Sequence, residues 1–217
     1  MNPKIAKIVE RVTPSRIVFC LLGNALLGLG VGMCKLSNFG TDPFNSLCLS
    51  VSGALHISYP LFTWGFNLSL FIFQIIFGRR YVHMGTFVNW FLPSVVANAV
   101  LSVFEVKLGD VGLPVRIPLL AAGLILIALG LAIYQHADLG IAPYDAVPLM
   151  IIDRFPKAKF FIIRIALDGS AVIVSLIAGG IAMKTLGIGT AITALCLGPL
   201  INMFTYLFWG RNKKISS

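Results

Sequence analysis

Apolar residues run in six long blocks along this chain, approximately Ile17 to Cys34, Pro60 to Gly78, Met84 to Phe104, Ile117 to Gln135, Phe160 to Ala182 and Leu186 to Trp209. Each approaches the ~20 residues an α-helix needs to cross ~30 Å of hydrocarbon. Two shorter blocks, Pro43 to His56 and Pro143 to Phe155, each open on a proline. Proline suits the first helical position, where its missing N–H would have no intrahelical partner anyway. At about 1.5 Å per residue these blocks reach only ~20 Å, short for a comfortable span. The pattern predicts an all-α membrane protein with six long transmembrane helices and two short proline-initiated membrane helices.

The blocks occur twice in the same order. Gly30 to Asn45 aligns without a gap on Gly130 to Asp145, an offset of 100 residues. Further along, Asn67 meets Asp168 after a one-residue shift, and Gly85-Thr86 and Asn98 meet Gly189-Thr190 and Asn202 after three more. Such self-similarity predicts two internal repeats, 17–104 and 117–209, in one membrane domain spanning 17–209. Each repeat holds a long helix, a broken polar and glycine-bearing segment, a short helix and two further long helices. In the first break Asp42 stands at the N-cap position before Pro43, with Asn38, Gly40 and Asn45 around it. In the second, Gly140 and Pro143 keep their places among Asp138, Tyr144 and Asp145. There Ala142 replaces the capping aspartate, leaving helix N–H groups for a neighbour, a water or a ligand.

Topology turns on whether the short helices cross. Without their crossing, six spans give inverted repeats of three and three, the arrangement favoured by helix length; eight crossings give parallel repeats of four and four. The short links after each short helix, His56 to Tyr59 and Pro156 to Lys159, favour the second. Either way, twelve basic residues fall on the side of the termini and four on the other, so the positive-inside rule predicts cytoplasmic termini without choosing.

Composition agrees with a bilayer as solvent: 58% of residues are hydrophobic and 12% charged, against about 25% charged in soluble domains. The net charge of +9 sits at the ends of apolar blocks rather than in a stripe with exposed aromatics, which excludes a nucleic-acid partner. Residues 1–16 read as a basic tail, with Ile5, Ile8, Val9 and Val12 on one helical face suited to a membrane surface. The first apolar block lacks a small-residue cleavage site and is expected to be retained. Residues 210–217 read as a basic cytoplasmic tail. The four cysteines lack C-x-x-C spacing and are expected to be small core filler, and the three histidines lie at or beyond block ends.

Arg164 and Asp168 stand four apart in the fifth long block, so they share a helix face and can pair. Ionisable groups at membrane depth are costly unless they face a partner or a water-filled cavity, which makes them functional candidates, although an ion pair that merely orients helices meets the same condition. Their repeat partner Asn67 is polar too. Gly28 and Gly32, repeated as Ala128 and Ala132, form small-x-x-x-small steps for close packing on a neighbour or each other, or in a homodimer. The chain carries no nucleotide-binding loop, no nucleophile elbow and no metalloprotease helix, so the expectation is neither an enzyme nor a cofactor protein.

At the two breaks, Asn38-Phe39-Gly40-Thr41-Asp42-Pro43-Phe44-Asn45 and Ala137-Asp138-Leu139-Gly140-Ile141-Ala142-Pro143-Tyr144-Asp145, the chain resembles the YczE/YyaS/YitT group of bacterial membrane proteins, nearest the YczE-like branch that has no soluble C-terminal domain. The resemblance implies a bacterial cytoplasmic-membrane protein with a duplicated helical domain and carries over no catalytic residues. Together these features predict a secondary transporter or exporter of a small solute. Asn38, Gly40, Asp42, Asn45, Asn67, Asp138, Gly140, Tyr144, Asp145, Arg164 and Asp168 are its candidate binding or coupling residues. The alternative is a non-transporting membrane partner in assembly or regulation.

Overall fold

A computed structural model describes residues 13–40, 42–108, 112–179 and 186–210. Among them the chain forms eight α-helices, one 3-10 turn and no strand: α1 Pro14–Ser37, α2 Pro43–Ala54, α3 Tyr59–Phe77, α4 Met84–Leu108, α5 Leu113–His136, α6 Pro143–Arg154, α7 Phe160–Ile177 and α8 Ile188–Trp209, with the turn at Arg79–Tyr81. Six helices are long and apolar enough to cross a membrane, and the two short ones begin at the expected prolines. The fifth long helix stops at Ile177 rather than continuing to Ala182. Gly179 takes φ +84° there, a left-handed turn that costs glycine little and ends a helix. The basic N-terminal segment lies, up to residue 12, outside the described residues, as does the C-terminal tail from 211 on.

The centre of the fold is an antiparallel pair, α1 and α5, brought to backbone contact by four glycines. A Cβ on Gly23 would lie 2.8 Å from the Gly130 carbonyl oxygen, and one on Gly30 would lie 2.6 Å from that of Gly123. No side chain fits in either place. Gly28 and Gly32 face elsewhere: they receive Pro93 with Val96, and Ala97 with Val100, so the small-residue step packs α1 along α4. On the other side α5 runs beside α8, from Leu120 against Gly189 to His136 stacked on Trp209 at 4.0 Å. Leu124, Ile127, Leu131, Tyr134, Leu149, Leu197 and Ile201 fill the core between them.

Burial is uneven. Helix α3 buries Gln74 and presents Trp64, Leu68, Ile76 and Phe77 outward, a surface suited to lipid and not to water. Cys20, Cys34 and Cys48 are buried free thiols, in line with a role as filler, whereas Cys196 is exposed and does not fill the core.

The end of the bundle where α1 starts is called the near end, and the end where it finishes the far end. At the far end the first break is clamped by the start of α8: the Gly189 N–H donates to the Phe39 carbonyl (2.9 Å), and Gly40, at φ +112°, lies against Thr190 and Gly187. At the near end the second break is clamped by the start of α4: the Gly85 N–H donates to the Leu139 carbonyl (2.6 Å), and Gly140, at φ +114°, lies against Thr86 and His83. Asn38 and Asp138 take the same left-handed conformation, φ 55° and 54°. Each half therefore holds the other half's break.

Neither short helix carries the chain across. The Ile141 N–H, just before α6, donates to the Tyr81 carbonyl (2.9 Å), while the Tyr81 hydroxyl donates to Asp153 near the end of α6 (2.8 Å). Both ends of α6 are thus tied to one near-end residue. In the first half the Tyr59 hydroxyl, at the start of α3, donates to Asn45 in the first turn of α2 (2.6 Å). Helices α1, α4 and α7 run one way through the bundle, and α3, α5 and α8 the other. The tight links that favoured eight crossings fit instead because each short helix returns to the end it left.

Candidate functional site

The buried face of α7 carries Phe160, Arg164, Asp168, Ala171 and Ser175, a four-four-three-four spacing that keeps them on one side of a helix. Three of the five are polar. Arg164 is the hub: its Nη1 donates to Asp145 Oδ1 (2.6 Å) and its Nε to Asp168 Oδ2 (3.0 Å). The remaining carboxylate oxygens are also engaged. The Tyr134 hydroxyl donates to Asp145 Oδ2 (2.6 Å) and the Tyr144 hydroxyl to Asp168 Oδ1 (2.8 Å). The guanidinium lies 5.3 Å from the centre of the Tyr144 ring, within cation–π range. Helix α5 supplies Tyr134, α6 supplies Tyr144 and Asp145, and α7 supplies Arg164 and Asp168.

Local structure explains the placement. Asp145 stands in the first turn of α6, whose N-cap Ala142 offers no side-chain cap, so its carboxylate meets the positive end of the helix as well as Arg164. Asp168 is 1% exposed and Arg164 4% exposed. Two carboxylates face one guanidinium among the charged groups that meet here. The Gln135 amide is buried beside the Tyr134 hydroxyl. Among the described residues no group of three or more His, Cys, Asp or Glu could hold a metal ion.

Beyond Tyr144, which packs on Phe44 with ring centres 5.0 Å apart, the first half buries no charged side chain among the described residues. Asp42 accepts from the Asn45 backbone N–H (3.1 Å) and from its amide (2.5 Å), capping α2 as predicted. Ser175 joins α7 to α2 through Ser46 (2.9 Å) and Ser50 (2.6 Å), all three fully buried. The aligned positions of the charged cluster are Cys34, Phe44, Asn45, Thr63 and Asn67, none of them charged.

The sequence-predicted residues separate into groups. Tyr144, Asp145, Arg164 and Asp168 come together; Asp42 and Asn45 form the cap at the far end. Asn38, Gly40 and Gly140 shape the breaks through their backbone conformation. Asp138 lies half-exposed at the near end and pairs with Arg16 at 3.6 Å, outside the cluster. Asn67 is half-buried on α3 and outside the cluster. Tyr134 is the member that sequence reasoning missed, because a tyrosine near the end of an apolar helix reads as packing; its alignment with Cys34 beside a broken segment was the available sign.

This arrangement defines a multi-pass helical protein of membrane type with a buried ionic cluster. The chain belongs to a family of unknown function, DUF6198, which it matches over residues 14–206. It is similar to the uncharacterised protein YyaS of Bacillus subtilis, 25% identical over 183 residues, covering 84% of this chain and 89% of that one. An uncharacterised protein of Haemophilus influenzae is 24% identical over 193 residues, 88% of this chain and 83% of its own length. No solved structure matches.

Proposed function

We propose that this protein is a secondary transporter or exporter of a small solute, built from two inverted halves of three crossings each, with the Asp145–Arg164–Asp168 cluster as its coupling site. The observation that carries the reading is that two helices, α6 and α7, spend buried surface on charges, an expensive choice in a bilayer unless the charges face each other, water or cargo. The reciprocal clamping of the two breaks supports inverted halves able to rock about the α1–α5 glycine contact. Broken segments beside buried polar groups are where repeat-built transporters place their sites.

The near end carries Arg79, Arg80, Arg154, Lys157 and Lys159, so by the positive-inside rule it faces the cytoplasm of a bacterial cell, with both termini on that side. The cluster then lies one to two helical turns in from the cytoplasmic end of α7, and the Ser46–Ser50–Ser175 group nearer the outer end. The Phe44–Tyr144 ring contact joins α2 to α6 between the two groups.

The test is flux in proteoliposomes, following an imposed pH gradient with an enclosed pH dye while small polar solutes are added in turn. Solute-dependent proton movement in the wild type, lost in Asp168→Asn, supports the reading. A folded Asp168→Asn variant that moves solute like the wild type removes Asp168 from the mechanism.

A further inference from the structure

We infer that the cluster is a binding site for a single proton, carried by Asp168, with Asp145 and Arg164 forming a permanent ion pair. Charge balance leads there first. Tyr134 from α5, Tyr144 and Asp145 from α6, and Arg164 and Asp168 from α7 are the titratable groups that meet; α2 contributes Phe44 and α8 Gly198 at this level. Gln135 is a neutral amide. With both carboxylates ionised the site would hold one uncompensated negative charge in low dielectric, which costs several kcal/mol per ion even after relaxation. One bound cation removes that charge.

The geometry selects the proton among cations. Each of the four carboxylate oxygens already accepts one hydrogen bond from Arg164, Tyr134 or Tyr144. A sodium or potassium ion needs several oxygens turned toward it, and these are turned toward donors. A proton needs only one oxygen and one reversed hydrogen bond. On Asp168 Oδ1 it would donate to the Tyr144 hydroxyl oxygen, with that hydroxyl's own hydrogen turned away.

The same geometry assigns the proton to Asp168 rather than Asp145. Asp145 has the shorter contact with Arg164, 2.6 Å against 3.0 Å, and sits at the positive end of α6. Asp168 is the more deeply buried, in the middle of α7, with no helix end to favour its charge. Loading and unloading this proton changes whether Arg164 is shared between two anions or belongs to one.

The inference uses the same site as the transport reading, but its readout is separate. Purified wild-type chain in lipid nanodiscs is examined at neutral pH by infrared spectroscopy for the carbonyl stretch of an un-ionised carboxylic acid. The wild type should show it; Asp168→Asn and Asp145→Asn, each leaving one carboxylate against one guanidinium, should not. Arg164→Gln, which leaves both carboxylates without their cation, should keep the band. Absence of the band in the wild type, which needs no variant to fold, overturns the proposal, as does a band that survives in Asp168→Asn. Thermal unfolding checks the assignment: Asp168→Asn mimics the protonated acid and should melt nearer the wild type than Asp145→Asn, and the reverse order overturns the choice of Asp168. Failure of transport with the band intact sinks only the transporter reading; transport without the band sinks only the proton.

Discussion

Gly30 and Gly123 occupy each other's side-chain space: a Cβ on Gly30 would sit 2.6 Å from the Gly123 carbonyl oxygen, and one on Gly123 would sit 2.9 Å from that of Gly30. Both obstacles are backbone, which cannot swing aside. Gly30→Val is therefore expected to force α1 from α5 and destabilise the fold by about 1–3 kcal/mol or more. Gly169→Ala, at a position with open space on α7, is the control: removing a helix-interior glycine should leave stability unchanged or raise it by up to ~1 kcal/mol. Thermal unfolding in one detergent compares the two; equal melting temperatures would contradict the contact.

Removing Arg164 leaves two buried carboxylates facing each other. Arg164→Met should cost about 3–5 kcal/mol, the range for breaking a buried ion pair by deleting one partner. Adding Asp145→Asn and Asp168→Asn to the same chain should recover much of that loss, because the carboxylates are then gone as well. A triple variant no more stable than Arg164→Met alone would show that the arginine acts by packing.

The turn after α3 gives a pH dependence outside the spans. Burial pushes the Tyr81 hydroxyl above its ordinary value; its hydrogen bond with Arg80 opposes the shift and its contacts with Asp153 add to it. The folded hydroxyl keeps its proton to higher pH than the unfolded one, so its contribution is complete below about 10 and is lost as pH rises through the folded value. Stability of the wild type should fall above pH ~10, and Tyr81→Phe should flatten that fall. Denaturant unfolding at a series of alkaline pH values measures it.

Tying both ends of α6 to Tyr81 has a labelling consequence. In a background without native cysteines, single cysteines at Arg80 and Lys157 should react with an impermeant reagent from the same side of the membrane. A cysteine at His56 should react from the other. Opposite-side labelling at Arg80 and Lys157 would mean that α6 crosses.

Much of this fold was legible in the sequence because apolar block length and proline position act locally. Arg164 and Asp168 were legible for the same reason, four apart on one helix. The glycines that matter most were not: Gly23 and Gly30 stand seven apart and meet Gly130 and Gly123 in reverse order, which a four-residue small-x-x-x-small step does not describe. Asp138 and Asp145 looked equivalent as polar residues beside a break, yet one meets solvent-accessible Arg16 and the other Arg164. That difference depends on which helix the break leans on, a long-range fact. The crossing count resisted the charges because both topologies distribute them alike; two hydrogen-bonded groups of Tyr81 decide the path of α6.

The exchange of clamps between halves also sets an order of assembly. The break at Phe39 and Gly40 is written early in the chain, but its restraint, Gly187 to Thr190, emerges from the ribosome some 150 residues later. Until then the Phe39 carbonyl lacks the Gly189 N–H that holds it, and long-range closure of this kind is paid for before it is rewarded. The second break has no such delay, since Gly85 is already made when Leu139 arrives. The nascent protein therefore completes its later half's restraint first, and its earlier half is locked only when α8 enters the bundle.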